Sequence, residues 1–427
     1  MSAAAARTRL APARRDLVSL VPPSDSVVWI GPETKLVGWD LDRFEVGTGS
    51  DRFARTWRLL SAAFDSLEVR DEVGGPGSGP LAFASFTFDE ASETSVAVIP
   101  RVVVGTRDAI GWVTATGDPV VDDVDGGAVA VTARGERESL FRPWRSHAEA
   151  GFRVPRIRYA GTSVAEIEWL EAVESAIGEI RSGALEKVVL ARDVEVWADE
   201  ELDVRALAAR LFRRFPQCYT FAIGELVGAT PELLVRRMGR AVESLVLAGS
   251  ARRSTDEAAD ETIGAELLAS AKDAHEHRLA VESVADTLGP LCDDLRVSSE
   301  PWLLKLANVQ HLATSVSGEL GDDMNVLEIV GRLHPTAAVC GTPTAAALEV
   351  IRRLEPVDRG RYAGPVGWVD AAGNGEFGIA LRCADVRGTR ARLWAGNGIV
   401  DGSVPEAELE ETRLKLRAVQ SALEDSD

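Results

Sequence analysis

No run in these 427 residues approaches the roughly 18 uninterrupted apolar side chains of a membrane-crossing helix, so a soluble chain with no membrane partner is expected. Cysteine is scarce too. Cys218, Cys292, Cys340 and Cys383 lie far apart without CxxC or metal-ligand spacing, and no secretory signal precedes them. Four free thiols in a reducing cytoplasm are the expectation. Positive charge is in deficit: 47 Lys and Arg face 67 Asp and Glu, and the net charge of -20 repels phosphate backbones and anionic membrane surfaces. Nucleic acid is therefore not an expected partner. A small anionic substrate would need a local pocket where Arg, Lys or a metal ion reverses the global sign.

Several familiar signatures are missing as well. "HEHR" at 275–278 lacks the spacing of HExxH, and two histidines two apart on a helix point about 200° from each other, so zinc is not expected. "GNGIVDG" at 396–402 has Asp401 where GxGxxG needs its third glycine, and neither a Walker loop nor a GxSxG elbow occurs.

What is present is a globular composition, 45% hydrophobic against 27% charged, long enough for two to three domains or one large α/β domain. The Ala- and Arg-rich opening, residues 1–20, reads as a flexible tail. Residues 21–150 form an N-terminal part in which "GGPGSGP", Gly74 to Pro80, separates a helical stretch from alternating apolar runs over 81–133 that read as antiparallel strands. From 163 to 181, Val164, Ile167, Leu170, Val173, Ile177 and Ile180 recur at helical spacing, with Ser163 and Glu166 as a capping box. Next come a strand from Lys187, an amphipathic segment at 203–214, strands around "CYTFAIGE" and "AVESLVLAG", and a long helix over about 257–288. A last helix starts near Pro405 with Ser403 and Glu406 as a second capping box. Antiparallel sheet covered by helices is the pattern.

Some polar residues stand where apolar ones would be easier. Lys187 opens the buried-looking run "KVVLAR", and Arg382 interrupts the strand-like "GIALRCADV". Taken alone, Glu232 reads as an exposed helix-start acid, Glu276 as part of a solvated helix face, and Glu408, Glu411 and Lys415 as a surface Glu–Lys arrangement. Glycine turns at Gly364 and "GNG" would add backbone N–H groups for a carboxylate. Together these residues fit a pocket in which a hydrated Mg²⁺ and cations neutralise an acidic substrate.

The same residues carry a resemblance. From about 160 to 425 the chain resembles the chorismate-utilising enzymes, and among them the isochorismate synthases, through "KVVLAR", "GATPELL", "LAGSARR", "KDAHEH", "HLAT", "HPTAAVCGTP", "DRGRYAGPVGW", "GNGEFGIALRCA" and "AGNGIVDGSVPEAELEETRLKL". The resemblance implies a single large α/β domain of α+β type, with two packed, mainly antiparallel sheets flanked by helices. It implies Mg²⁺-dependent conversion of chorismate to isochorismate for menaquinone or siderophore synthesis. Lys187 then matches the base that activates water, Glu232 the acid that protonates the leaving C4 hydroxyl, and Glu276 and Glu411 the metal ligands, with Glu408 at the metal's water shell. Tyr362, Arg382, Gly398 and Lys415 match holders of substrate carboxylates, and Ser250 and His311 line the pocket. A lysine base needs burial or nearby cations to lower its pKa, and an acid needs a raised one.

Lys187 speaks against the related ammonia-using anthranilate and aminodeoxychorismate synthases, so no glutaminase partner is expected. The alternatives are a salicylate synthase, which goes on to eliminate pyruvate, and a silent binding module. No heptad or sticky patch argues against a monomer. Two departures from the pattern stand out: Ser250 replaces a common threonine, and Asn397 stands where a small residue is usual.

Overall fold

The computed structural model describes residues 4–424, except 14–15, 23–24, 118–121, 125–126, 132–136 and 140–154. The expected α/β architecture is present: helices cover a large, mainly antiparallel β structure. Instead of the two packed sheets expected, all described strands but three join one hydrogen-bonded network that closes on itself; the strands Asp122–Val124, Gly127–Val131 and Arg137–Ser139 pair separately.

Two long strand pairs position the site. Lys187–Ala198 runs antiparallel to Arg390–Ile399, in register from Val188 opposite Ile399 to Trp197 opposite Arg390. Its apolar run explains the placement, since Val188, Val189, Leu190 and Ala191 are all buried. Ala241–Arg252 pairs with Val309–Leu320, and the register slips between Ala248 and Ser250, where Gly249 takes a φ of +73°. That bulge sets Ser250 opposite His311.

Several expectations need correction. Within the opening expected to be a tail, Ala4–Ala11 is a strand between Leu67–Asp71 and Ile110–Thr116, with Ala6 and Thr8 buried. The helix expected from 163 spans Glu166–Arg181, where Glu168 accepts from the Ala165 N–H. Ser163 instead donates to Asp193. The buried face of that helix runs through Trp169, Val173, Ala176, Ile177 and Ile180, which leaves Ile167 63% exposed. The helix expected over 257–288 is two, Glu257–Ala269 and Ala271–Leu288, because Ser270 is extended and its hydroxyl accepts from the Asp273 N–H. Pro405–Glu424 begins where expected, but the Ser403 hydroxyl accepts from Val400 N–H rather than capping with Glu406. Strands do occupy the 81–133 region as far as it is described, although residues 118–121, 125–126 and 132–133 lie outside the described residues.

All four cysteines are free thiols. Among the described residues no helix is long and apolar enough to cross a membrane.

Candidate active site

Fully buried lysines are expensive, because an ammonium loses its water without regaining it elsewhere. Lys187 is one: it is 0% exposed, Oε1 of Glu276 lies 3.2 Å from its Nζ, and its amine has no hydrogen-bond partner among the described residues. The neighbouring strand permits this convergence. A Cβ on Gly398 would lie 2.1 Å from Glu276 Oε1 and 2.7 Å from Lys187 Cε, so only glycine lets the three meet. "GNG" is therefore not a turn but part of the strand Arg390–Ile399, with Gly398 opposite Val189.

Glu276 comes from the helix Ala271–Leu288 and is buried, not part of a solvated face. His277 beside it donates from Nδ1 to the Ala248 carbonyl, accepts at Nε2 from the Thr314 hydroxyl on the facing strands, and stays out of the pocket. Glu232 is no helix-start acid either. It lies between the strands Leu226–Thr230 and Leu233–Met238, buried, with its own carbonyl accepting from Ile379 N–H. Burial pushes its carboxyl up to about 8, against the opposing pull of Arg382, Lys187 and Lys415. At neutral pH it therefore holds a proton to give.

Arg382 sits at a bend rather than in a strand, with a φ of +49° that side chains other than glycine rarely adopt. Its carbonyl accepts from Ala229 N–H, which helps fix that backbone. Arg382 donates to His311 Nε2 at 2.9 Å; a guanidinium is a donor only, so the ring proton must be on Nδ1, 2.9 Å from Ser250 Oγ. The Ser250 hydroxyl in turn reaches Glu411. Burial, Arg382 and Lys415 hold His311 far below its ordinary pKa, so this relay is carried by a neutral ring. Tyr362 closes another wall, stacked on Trp394 at 5.6 Å.

The helix Pro405–Glu424 supplies the remaining groups. Lys415 pairs with Glu411 at 2.8 Å, as the spacing suggests, but the pair faces a pocket and not open solvent. Burial pushes Glu411 up, yet Lys415 and Lys272 outweigh it and hold the carboxyl below its ordinary value. Glu408 is buried and pairs with Lys272 at 2.7 Å. Burial opposes the Lys272 charge, but Glu408, Glu276 and Glu411 together hold the ammonium above its ordinary pKa.

Three carboxylates thus surround one cationic group. Among the described residues no three acidic, His or Cys side chains form a ready cage, but Mg²⁺ asks for only one or two carboxylates and keeps several waters. The acids here fit that demand.

Nine of the residues singled out in the sequence line one pocket: Glu232, Ser250, Glu276, His311 and Tyr362, with Arg382, Gly398, Glu411 and Lys415. Lys187 lies behind Glu276 and Gly398, and Glu408 lies beside Lys272. Gly364 is a turn glycine near Phe86, outside the pocket. Sequence reasoning passed over Lys272, Trp394 and Arg359. The last is a buried guanidinium that lines the pocket, pairs with Glu355 and donates to the carbonyls of Val189 and Val339. Lys272 and Arg359 stand inside "KDAHEH" and "DRGRYAGPVGW", where a cation beside recurring polar residues was the available signal.

Comparison with known proteins places the chain among relatives. The chain is 32% identical over 425 residues to isochorismate synthase MenF of Bacillus subtilis, covering 92% of this chain and 87% of the relative. It is 43% identical over 433 residues to the salicylate biosynthesis isochorismate synthase of Pseudomonas aeruginosa, covering 92% and 84%. The crystal structure of DhbC from Bacillus anthracis superposes with a TM-score of 0.77 at 28% identity, covering 96% of this chain and 99% of that one. The family model for chorismate binding enzymes matches residues 26–424, and the chain belongs to that family.

Proposed function

We propose that the protein is a Mg²⁺-dependent isochorismate synthase, an isomerase that adds water at C2 of chorismate and expels the C4 hydroxyl with shift of the ring double bonds. The observation that carries the reading is the pairing of a wholly buried amine at Lys187 with a carboxyl at Glu232 that keeps its proton to about pH 8.

Lys187 takes one proton from the attacking water, whose oxygen bonds to C2. Glu232 gives one proton to the departing C4 oxygen, which leaves as water. One water enters and one leaves, so substrate and product are isomers, and exchange with solvent restores both residues. Lys415, Arg382 and Tyr362 are suited to hold the two carboxylates, and neutral His311 keeps Arg382 and Ser250 in place through its two ring nitrogens. Glu276 and Glu411 would hold the metal ion, with Glu408 at its water shell; when bound, Mg²⁺ supplies the charge that steadies the ring carboxylate. In this reading the enzyme acts on a small molecule, needs no glutaminase and works as a monomer in the cytoplasm.

Incubation of the protein with chorismate and Mg²⁺, followed by separation of products, tests the reading. Isochorismate is expected, without ammonia. Salicylate with pyruvate, or anthranilate formed only with ammonia, would replace it.

Gly398→Ala provides a second check. The added methyl must push Glu276 or Lys187 aside, and a displacement of that order is expected to cut turnover by about 10²-fold. Wild-type turnover in a folded Gly398→Ala protein would show that the three groups need not converge.

A further inference from the structure

Asn397 is 1% exposed near the C-terminal end of the strand Arg390–Ile399, where it pairs in register with Leu190. Its side chain crosses to the helix Pro405–Glu424 and makes three hydrogen bonds. Nδ2 donates to the Glu408 carbonyl at 2.7 Å and to Glu408 Oε2 at 3.0 Å. Oδ1 accepts from Lys415 Nζ at 2.7 Å. The amide orientation follows from chemistry: an ammonium only donates and a carboxylate only accepts, so one end of the amide faces each.

Each contacted group has other partners that this amide completes. Lys415 also donates to the Gly396 carbonyl at 3.0 Å and pairs with Glu411, while Glu408 Oε1 accepts from Lys272. A small side chain at 397 could reach neither group. Building on the reading of Lys415 as a carboxylate holder and Glu408 as a neighbour of the metal's water shell, we propose that Asn397 is a positioning residue that fixes both groups through one side chain. A buried amide bridging a cation and an anion has little freedom, and it prevents Lys415 and Glu408 from pairing with each other instead.

Two substitutions separate the halves of this bridge. Asn397→Ala removes both contacts. Loss of a hydrogen bond to a charged group is expected to raise KM for chorismate by about tenfold, with a smaller change in kcat. Asn397→Asp keeps an acceptor for Lys415 but turns a carboxylate toward the Glu408 oxygens. It should spare KM more than the alanine variant does and shift the Mg²⁺ dependence more.

The Mg²⁺ arm is read without turnover, as the concentration of Mg²⁺ alone that gives the half-maximal rise in melting temperature. That midpoint should move upward several-fold in Asn397→Asp relative to wild type. A purely structural role would lower the melting temperature of both variants equally and leave KM and the Mg²⁺ midpoint at wild-type values, and this outcome would overturn the proposal. If Asn397→Ala fails to fold, Asn397→Ser, which retains a short hydroxyl, carries the same KM comparison. An active wild type with unchanged variants refutes the positioning role alone, whereas a wild type that makes no isochorismate refutes the underlying functional reading.

Discussion

Replacing Lys187 by alanine is expected to lower chorismate turnover by about 10²- to 10⁴-fold, the range lost when a positioned proton acceptor is removed. The side chain is wholly buried, so alanine also leaves a cavity and an unpaired Glu276. Two further variants isolate the amine. Lys187→Met keeps much of the volume without a titratable group, and Lys187→Arg keeps the charge in a guanidinium that does not deprotonate at any working pH. Both should be as inactive as the alanine variant, with the fold intact by circular dichroism. If Lys187→Arg retained near wild-type turnover, the residue would be acting by charge and not as a base.

Glu232→Gln should cost about 10²- to 10⁴-fold as well, at the other end of the reaction. Glutamine matches the shape of the protonated carboxyl and can still donate a hydrogen bond, but it has no proton to transfer. The pH dependence gives this prediction a sign. Glu232, pushed up by burial, is in its acid form below about 8 and loses that form as pH rises through it. The kcat/KM profile is therefore expected to fall on its alkaline side near pH 8. An acid with an ordinary carboxylate pKa would be ionised throughout the neutral range, and a profile flat from pH 6 to 10 would contradict the assignment.

Much of this site was legible in the sequence because its residues violate local pattern. An amine at the mouth of "KVVLAR" is costly wherever the strand is buried, and the structure buries it completely. Glu411 and Lys415 share a helix face by spacing alone, and they pair at 2.8 Å. The burial of Glu232 and Glu276 could not be read locally, since each is covered by strands distant in sequence.

The misreadings have similarly physical causes. Arg382 looked like a strand residue because a positive φ leaves no trace in a run of apolar neighbours. "GNG" looked like a turn because glycine is permissive, whereas the glycine at 398 is there to admit Glu276 and Lys187. The long helix split at Ser270, a residue with no glycine or proline beside it, because a serine hydroxyl can start a helix as readily as it can sit within one. Ser250 and His311 lie 61 positions apart, and only the register of two strands joins them into the chain from Arg382 to Glu411. Asn397 stood out in sequence as an unusual residue, but its meaning required the helix it touches.

The central claim is that Lys187 directs water to C2 of chorismate while the C4 hydroxyl departs. Turnover in ¹⁸O-labelled water tests it most directly, with isochorismate quenched early and analysed by mass spectrometry. The account predicts one solvent oxygen in each product molecule, located on the C2 hydroxyl. Isochorismate carrying no label would mean that the original hydroxyl migrates within the molecule, and the assignment of Lys187 as the base that activates water would be wrong.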